Sequence, residues 1–340
     1  MRERDHTIDI LRGMAVFTMI AANMAAHSLL EPHPFLFRLY GSFAAPCFIF
    51  LAGMMVSYTA HYRGHKPVYY VWRGLMVIAV AALIDVFCWG VVPFTTFDVL
   101  YILGFSMPFT DLFLKLKKPL QIIFIAILFS LTPIMQHIYG YRPVLTEPMV
   151  KDFTNGLSQV PVLQQFLVDG WFPVFPWFGV AFLGAFAGQW RIEHEPERIN
   201  RYFILAGVLL TVTGIAGWYI MAPVLYTREG YSELFYPPTL PYLATMLGII
   251  MLALGALYRI RNVKGMQFFA VYGRSSLLMY IVHTVLIVYV FNLFFPAYNL
   301  TGFLALYLCH AFILWGISAG VQFLKKGREL PFLLSFLLGG

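Results

Sequence analysis

Charge is scarce in this sequence: only 11% of its 340 residues are Asp, Glu, Lys or Arg, against about a quarter in a soluble domain. Cysteine is scarce too. Cys47, Cys88 and Cys309 stand far apart inside apolar runs, which excludes a disulfide framework and offers no metal-ligand spacing. No Walker or Rossmann glycine pattern occurs, no His-Glu-x-x-His, and no Gly-x-Ser-x-Gly before a helix. ATP-driven pumping, zinc proteolysis and a soluble hydrolase module are thereby set aside. Low-complexity segments, a soluble domain and internal repeats are lacking as well. The net charge of +7 comes from short clusters between apolar runs, with no basic stripe of the kind that binds nucleic acid.

What the chain has in excess is apolar surface. Sixty per cent of the residues are hydrophobic, with 33 Phe and 20 Tyr, and the mean hydropathy is +0.75. A soluble fold of this length has too little core to bury so much, so the excess must face lipid. A span needs roughly 20 apolar residues. Segments of that kind fall near 8–30, 36–60, 70–93, 97–114, 119–139, 171–190, 202–226, 240–259, 275–296 and 301–324. The expected fold is therefore an all-α bundle of about ten transmembrane helices in one domain, placed in the cell (inner) membrane. The run after Met1–His6 reads as a retained span with no cleavable signal peptide before it. The connection 140–170 reads as an extracytoplasmic loop, and 331–340 as too short to span.

Basic residues give the orientation. With the N-terminus inside, the inner connections and both termini hold seventeen Lys and Arg, among them Arg63, Lys66, Arg73, Lys118, Arg191 and Arg261. The other side has Arg38, Arg142, Lys151 and Arg228 only. This asymmetry predicts both termini in the cytoplasm.

Ionisable and strongly polar residues within spans are costly, so each is a functional candidate. Asp9 and Arg12 lie three apart on one face of the first helix, as an ion pair at the cytoplasmic end would, or a plain snorkelling interfacial pair. Asn23 lies three turns further along nearly the same face. His27 and His33 follow at the exit, where a histidine can take a proton near neutral pH. A plain headgroup contact would look the same. Pro46 in the second span, and Trp171-Phe-Pro-Val-Phe-Pro-Trp177 at the sixth, suggest interrupted helices whose freed carbonyls neighbours must satisfy. Asp85, Asp98, Asp169 and His283 are further ionisable groups near spans, Asp98 reading as a helix cap. Gly184-Ala-Phe-Ala-Gly188 is a small-xxx-small patch for close helix packing. It leaves the oligomeric state, a homodimer included, open.

Three segments together resemble the membrane acyltransferases related to heparan-alpha-glucosaminide N-acetyltransferase. They are Ile8-Asp-Ile-Leu-Arg-Gly-Met-Ala through Asn23 with Pro46-Cys-Phe-Ile-Phe-Leu-Ala-Gly53, then Phe172-Pro-Val-Phe-Pro-Trp-Phe-Gly-Val-Ala-Phe-Leu-Gly184, then Tyr272-Gly-Arg-Ser-Ser-Leu-Leu-Met-Tyr-Ile-Val-His283. They occur in the family's order and spread over most of the chain. The glucosaminide branch has an Asn where Asn23 stands and takes its catalytic histidine from the following loop. Allowing a one-residue gap, His33 falls there. His27 competes for the role. The family often reads Gly-x-Asn-Ser where this chain has Gly-Arg-Ser-Ser, so Ser275 replaces an amide.

The resemblance implies acetyl-CoA as co-substrate, without a metal, and a sugar or glycan amine as acceptor at the extracytoplasmic side. It implies His33 as general base and Asn23 as its orienting or oxyanion partner. Donor contacts would come from Arg12, Arg73, Arg274 and Ser275, and acceptor contacts from His27, Asp169, Trp171 and His283. Two alternatives stay open: O-acetylation of a cell-surface glycan, and transport of a sugar or lipid-linked glycan without acyl transfer.

Overall fold

The computed structural model describes residues 5–142, 149–152, 161–221, 233–325 and 331–338. Among them the regular structure is helical, apart from isolated bridges of Leu29 with Tyr298 and Val91 with Met149. The helices are α1 (His6–Ser28), α2 (Phe35–Gly41), α3 (Ala44–Arg63), α4 (Pro67–Trp89, its last turn π-helical), α5 (Val99–Leu114), α6 (Lys118–Tyr139), α7 (Val162–Asp169), α8 (Val174–Glu193), α9 (Pro196–Met221), α10 (Leu240–Ile260), α11 (Lys264–Gly273), α12 (Ser276–Phe294), α13 (Leu300–Lys325) and the short α14 (Phe332–Leu337).

Local chemistry sets several of these boundaries. Asp5 caps α1 by accepting from the Thr7 amide at 3.0 Å, Asp98 caps α5 through the Val99 amide at 2.6 Å, and Thr239 caps α10. Prolines open α4 and α9, where a missing N–H costs nothing. Gly64, at φ 58°, supplies the left-handed residue that ends α3.

Among the described residues, eight helices are long and apolar enough to cross a membrane. A helix stands at every one of the ten segments expected to span. Two differ from the simple picture. The sixth is the pair α7 and α8, bent by 49°; the apolar run from Val162 makes α7 helical where a loop was expected. The fourth, α5, has 16 residues, so it rises about 24 Å, short of the ~30 Å hydrocarbon core. The loop expected over 140–170 and the end of the span expected over 202–226 lie partly outside the described residues.

Burial divides the bundle into an inner and an outer set. Most of α1, α3 and α10 is enclosed, whereas α6 and α9 turn rows such as Ile122, Ile123 and Ile127, or Leu205, Leu209 and Val212, outward. The inner helices meet where side chains vanish. A Cβ at Gly184 would stand 1.9 Å from the Phe50 carbonyl oxygen, and one at Gly53 would stand 1.9 Å from that of Ala181. The glycine patch of α8 is thus consumed by α3 of the same chain.

Pro46 does not break a helix. It lies in the first turn of α3, where backbone N–H groups have no intrahelical acceptor. The interruption comes just before it, between α2 and α3. There Ser42 Oγ accepts from the Leu234 amide at 2.7 Å, and the Ser42 carbonyl accepts from Tyr242 Oη at 2.8 Å. The second bond satisfies a carbonyl at the break and the first an amide of the segment before α10, both at the fully buried Ser42.

Candidate functional site

Two polar regions lie inside this apolar shell. The first is a cavity of about 1200 Å³ at the end of the bundle where the basic residues collect. The first turn of α1, the last turn of α8 and the first turns of α4 and α9 surround it, with the C-terminal end of α3 and residues after α10. Arg12, Arg63, Arg73, Arg191, Arg261 and Lys325 line it, against the carboxylates of Asp5 and Asp9. Arg191 Nη2 is paired with Asp5 at 2.8 Å. Arg73 donates to Tyr69 Oη at 3.2 Å and lies 5.5 Å above the Phe336 ring of α14. The segment too short to span therefore folds back against the cavity, where Phe336 is one of the lining residues.

The cavity reaches inward to Val99, Leu100 and Tyr280. Tyr280 Oη donates to Asp98, the cap of α5. Asp85, beyond it, accepts from Tyr101 Oη at 2.6 Å and from Thr96. Each carboxylate in this inner wall is hydrogen-bonded, as buried ones must be.

One turn past Tyr280 begins the second region. His283, fully buried, faces the Tyr280 carbonyl through Nδ1 at 2.7 Å and the Asn23 amide through Nε2 at 2.8 Å. Only a protonated Nδ1 can donate to a carbonyl, so in the neutral ring Nε2 is an acceptor and takes the N–H of Asn23. The network assigns this tautomer, and it also fixes which way the amide points. His310 of α13 lies alongside, with ring centroids 6.4 Å apart. It stacks on Phe291 at 4.4 Å, and its Nδ1 lies 3.1 Å from Met24 Sδ. Nothing in the sequence reading singled His310 out; a histidine within an apolar span was the signal available.

The expected site residues thus separate into groups. Arg12 and Arg73 line the cavity. Arg274 does not: it lies 4.0 Å from Asp9 and donates to Gln322 Oε1 at 3.1 Å. Ser275 is buried beside it, outside the cavity lining, with no hydrogen-bond partner for Oγ among the described residues. Asn23 meets His283, a pairing across 260 residues, rather than His33.

His33 sits past the far end of α1, half-buried, with Nε2 on the Leu29 carbonyl at 3.1 Å. That bond requires Nε2–H, so the neutral ring keeps Nδ1 as a proton acceptor. His27 is exposed. Asp169 is fully buried and ion-paired with Arg142, whose backbone amide it also binds at 3.0 Å. Trp171 packs against Tyr236 at 4.8 Å. Asp169 and Trp171 therefore pin loops at the far end, where the Trp171 and Phe172 amides also reach the Thr96 and Phe97 carbonyls.

The class is that of a multi-pass membrane protein with a basic vestibule leading to a buried polar centre. The catalytic-domain profile of heparan-alpha-glucosaminide N-acetyltransferase matches residues 4–214. The chain belongs to that family of membrane acetyltransferases. The match carries α1 to α8 and most of α9, with Arg12, Asn23 and His33; His283 and His310 lie beyond it. No curated protein matches the chain.

Proposed function

We propose that the protein transfers an acetyl group from cytoplasmic acetyl-CoA to a sugar amine at the extracytoplasmic side, with both termini in the cytoplasm. The observation that supports this most is the cavity. It is lined by guanidinium groups at one end of the bundle and stops at Tyr280, one turn from the Asn23–His283 pair. Arg12, Arg63 and Arg73 suit the phosphates of a nucleotide, since guanidinium pairs with them bidentately. A pantetheine arm running inward would carry the thioester toward Asn23 and leave the nucleotide behind.

At the inner end, Asn23 is the donor positioned for the oxyanion that forms as the thioester is attacked. His283 holds its amide in one orientation. His33 is the base: its Nε2 is tied to Leu29, so Nδ1 receives the proton. In the transfer the C–N bond forms as the C–S bond breaks. The amine's proton passes to His33 and from there to the departing thiolate. General-base help of this kind contributes ~10²–10⁴-fold, and positioning supplies much of the remainder.

Purified protein should bind acetyl-CoA and acetylate a glucosamine acceptor, with cysteines introduced at Tyr62 and Tyr141 labelling from opposite sides of the membrane. A protein that neither binds nor turns over acetyl-CoA is not this enzyme, and labelling from one side removes the orientation.

A further inference from the structure

One wall of the cavity is built differently from the rest. Where the first turn of α1, the last turn of α8 and the second turn of α9 line it, four side chains carry enclosed polar atoms that have no hydrogen-bond partner among the described residues: His6 Nδ1, Thr7 Oγ1, Arg191 Nη1 and Asn200 Oδ1. Thr7 is fully buried, Asn200 is 4% exposed, and the Arg191 side chain is 10% exposed. A buried polar atom left unpaired costs on the order of 1–3 kcal/mol. Four in the lining of one cavity point to a ligand that satisfies them.

Charge identifies the kind of ligand. Arg191 is already neutralised by Asp5 at 2.8 Å, so this wall has little pull on a phosphate. Arg63, Arg73 and Arg261 have no carboxylate partner among the described residues and serve anions better. What remains here is one N–H of Arg191, the Asn200 amide oxygen, the Thr7 hydroxyl and a His6 ring nitrogen. Together they offer donors and acceptors with no net charge. That set matches a neutral group presenting a donor beside an acceptor.

We propose that this wall reads the adenine base of the donor nucleotide, Asn200 taking the exocyclic amine and Arg191 donating to a ring nitrogen. The proposal rests on the donor reading above. A pantetheine amide has the same chemistry. Position favours the base: the wall is made by the first turn of α1, the last turn of α8 and the second turn of α9. The arm must instead extend to Tyr280 and Asn23, at the inner end. Neither Arg191 nor Asn200 stands out in sequence, the first counting only as one charge of the orienting asymmetry.

The test is equilibrium binding to detergent-purified full-length protein, using CoA, a CoA carrying hypoxanthine in place of adenine, and 4′-phosphopantetheine. Asn200→Leu and Thr7→Val are compared with wild type, and thermal unfolding checks that each variant is folded. Asn200→Leu should weaken CoA about tenfold, the scale of one buried hydrogen bond, and leave phosphopantetheine unchanged. Hypoxanthine, with its reversed donor and acceptor, should cost wild type a similar factor and the variant almost nothing. If Asn200→Leu does not fold, Thr7→Val must show the same selective loss on a smaller scale. Equal weakening of CoA and phosphopantetheine assigns the wall to the arm and overturns the proposal. So does unchanged CoA affinity in folded variants. Failure of wild type to bind CoA at all removes the donor reading itself, and the base-reading wall with it.

Discussion

The cavity at the basic end and the histidine pair deeper in the bundle deal with polarity in opposite ways. In the cavity, guanidinium groups are charged by their own basicity, and Arg63, Arg73 and Arg261 have no carboxylate partner among the described residues. Around Asn23, His283 and His310 there are no formal charges among the neutral tautomers, and direction is what the contacts specify. A full charge in the interior would cost several kcal/mol, whereas an amide and an imidazole can each satisfy the other. The difference suggests a division of labour. On the proposed function, the cavity would supply affinity for an anionic donor and the interior would supply geometry.

Substitutions that separate affinity from turnover test this division. The largest effect is expected from His33→Ala, which should lower acetyl transfer by ~10²-fold or more while acetyl-CoA binding changes little. Activity in His33→Ala together with loss in His27→Ala would move the base to His27 and leave the enzyme class intact. Next come Asn23→Leu and His283→Leu. Each should reduce kcat by ~10²-fold with donor affinity near wild type, the scale of one oxyanion donor. Because the two residues act through one hydrogen bond, the double variant should be little worse than either single one. Additive losses would mean that they act separately.

Smallest, and of the other kind, is Arg73→Ala. It should weaken donor binding by about 1.5–3 kcal/mol, the worth of a charge-assisted contact, without a matching fall in kcat. Arg274→Ala is its control. Arg274 does not itself line the cavity and is engaged with Asp9 and Gln322, so donor affinity should hold. If Arg274→Ala weakens CoA as Arg73→Ala does, the boundary drawn between cavity and interior is misplaced.

Several elements were legible in advance because their signals are local. A helix stands at each apolar segment expected to span, since length and composition alone decide whether a run can satisfy its backbone in lipid. The Asp98 cap and the packing glycines of α8 also depend on a few neighbouring residues. Pro46 misled because a proline in an apolar run looks like a kink until the helix start is known. Val162–Asp169 misled in the other direction, its helix being too short to register as a span.

The site was less legible, for a different reason. In a soluble protein a helix face turned inward is apolar and the other polar, so periodicity reveals what is buried. Here α6 and α9 show lipid the same residue types that α1 and α10 bury, and periodicity carries no such information.

Sequence by itself determined that the chain lies in a membrane, where its helices run, which end of the bundle is basic, and, through Arg12, Asn23 and His33, the family it resembles. Tertiary structure alone decided that Asn23 pairs with a histidine 260 residues away, that His310 stands beside that pair, and that Arg73 faces the cavity while Arg274 does not. Composition and hydropathy are properties of a segment. Which segments touch depends on where glycines let backbones approach and on which polar groups must find each other in a medium that offers no water.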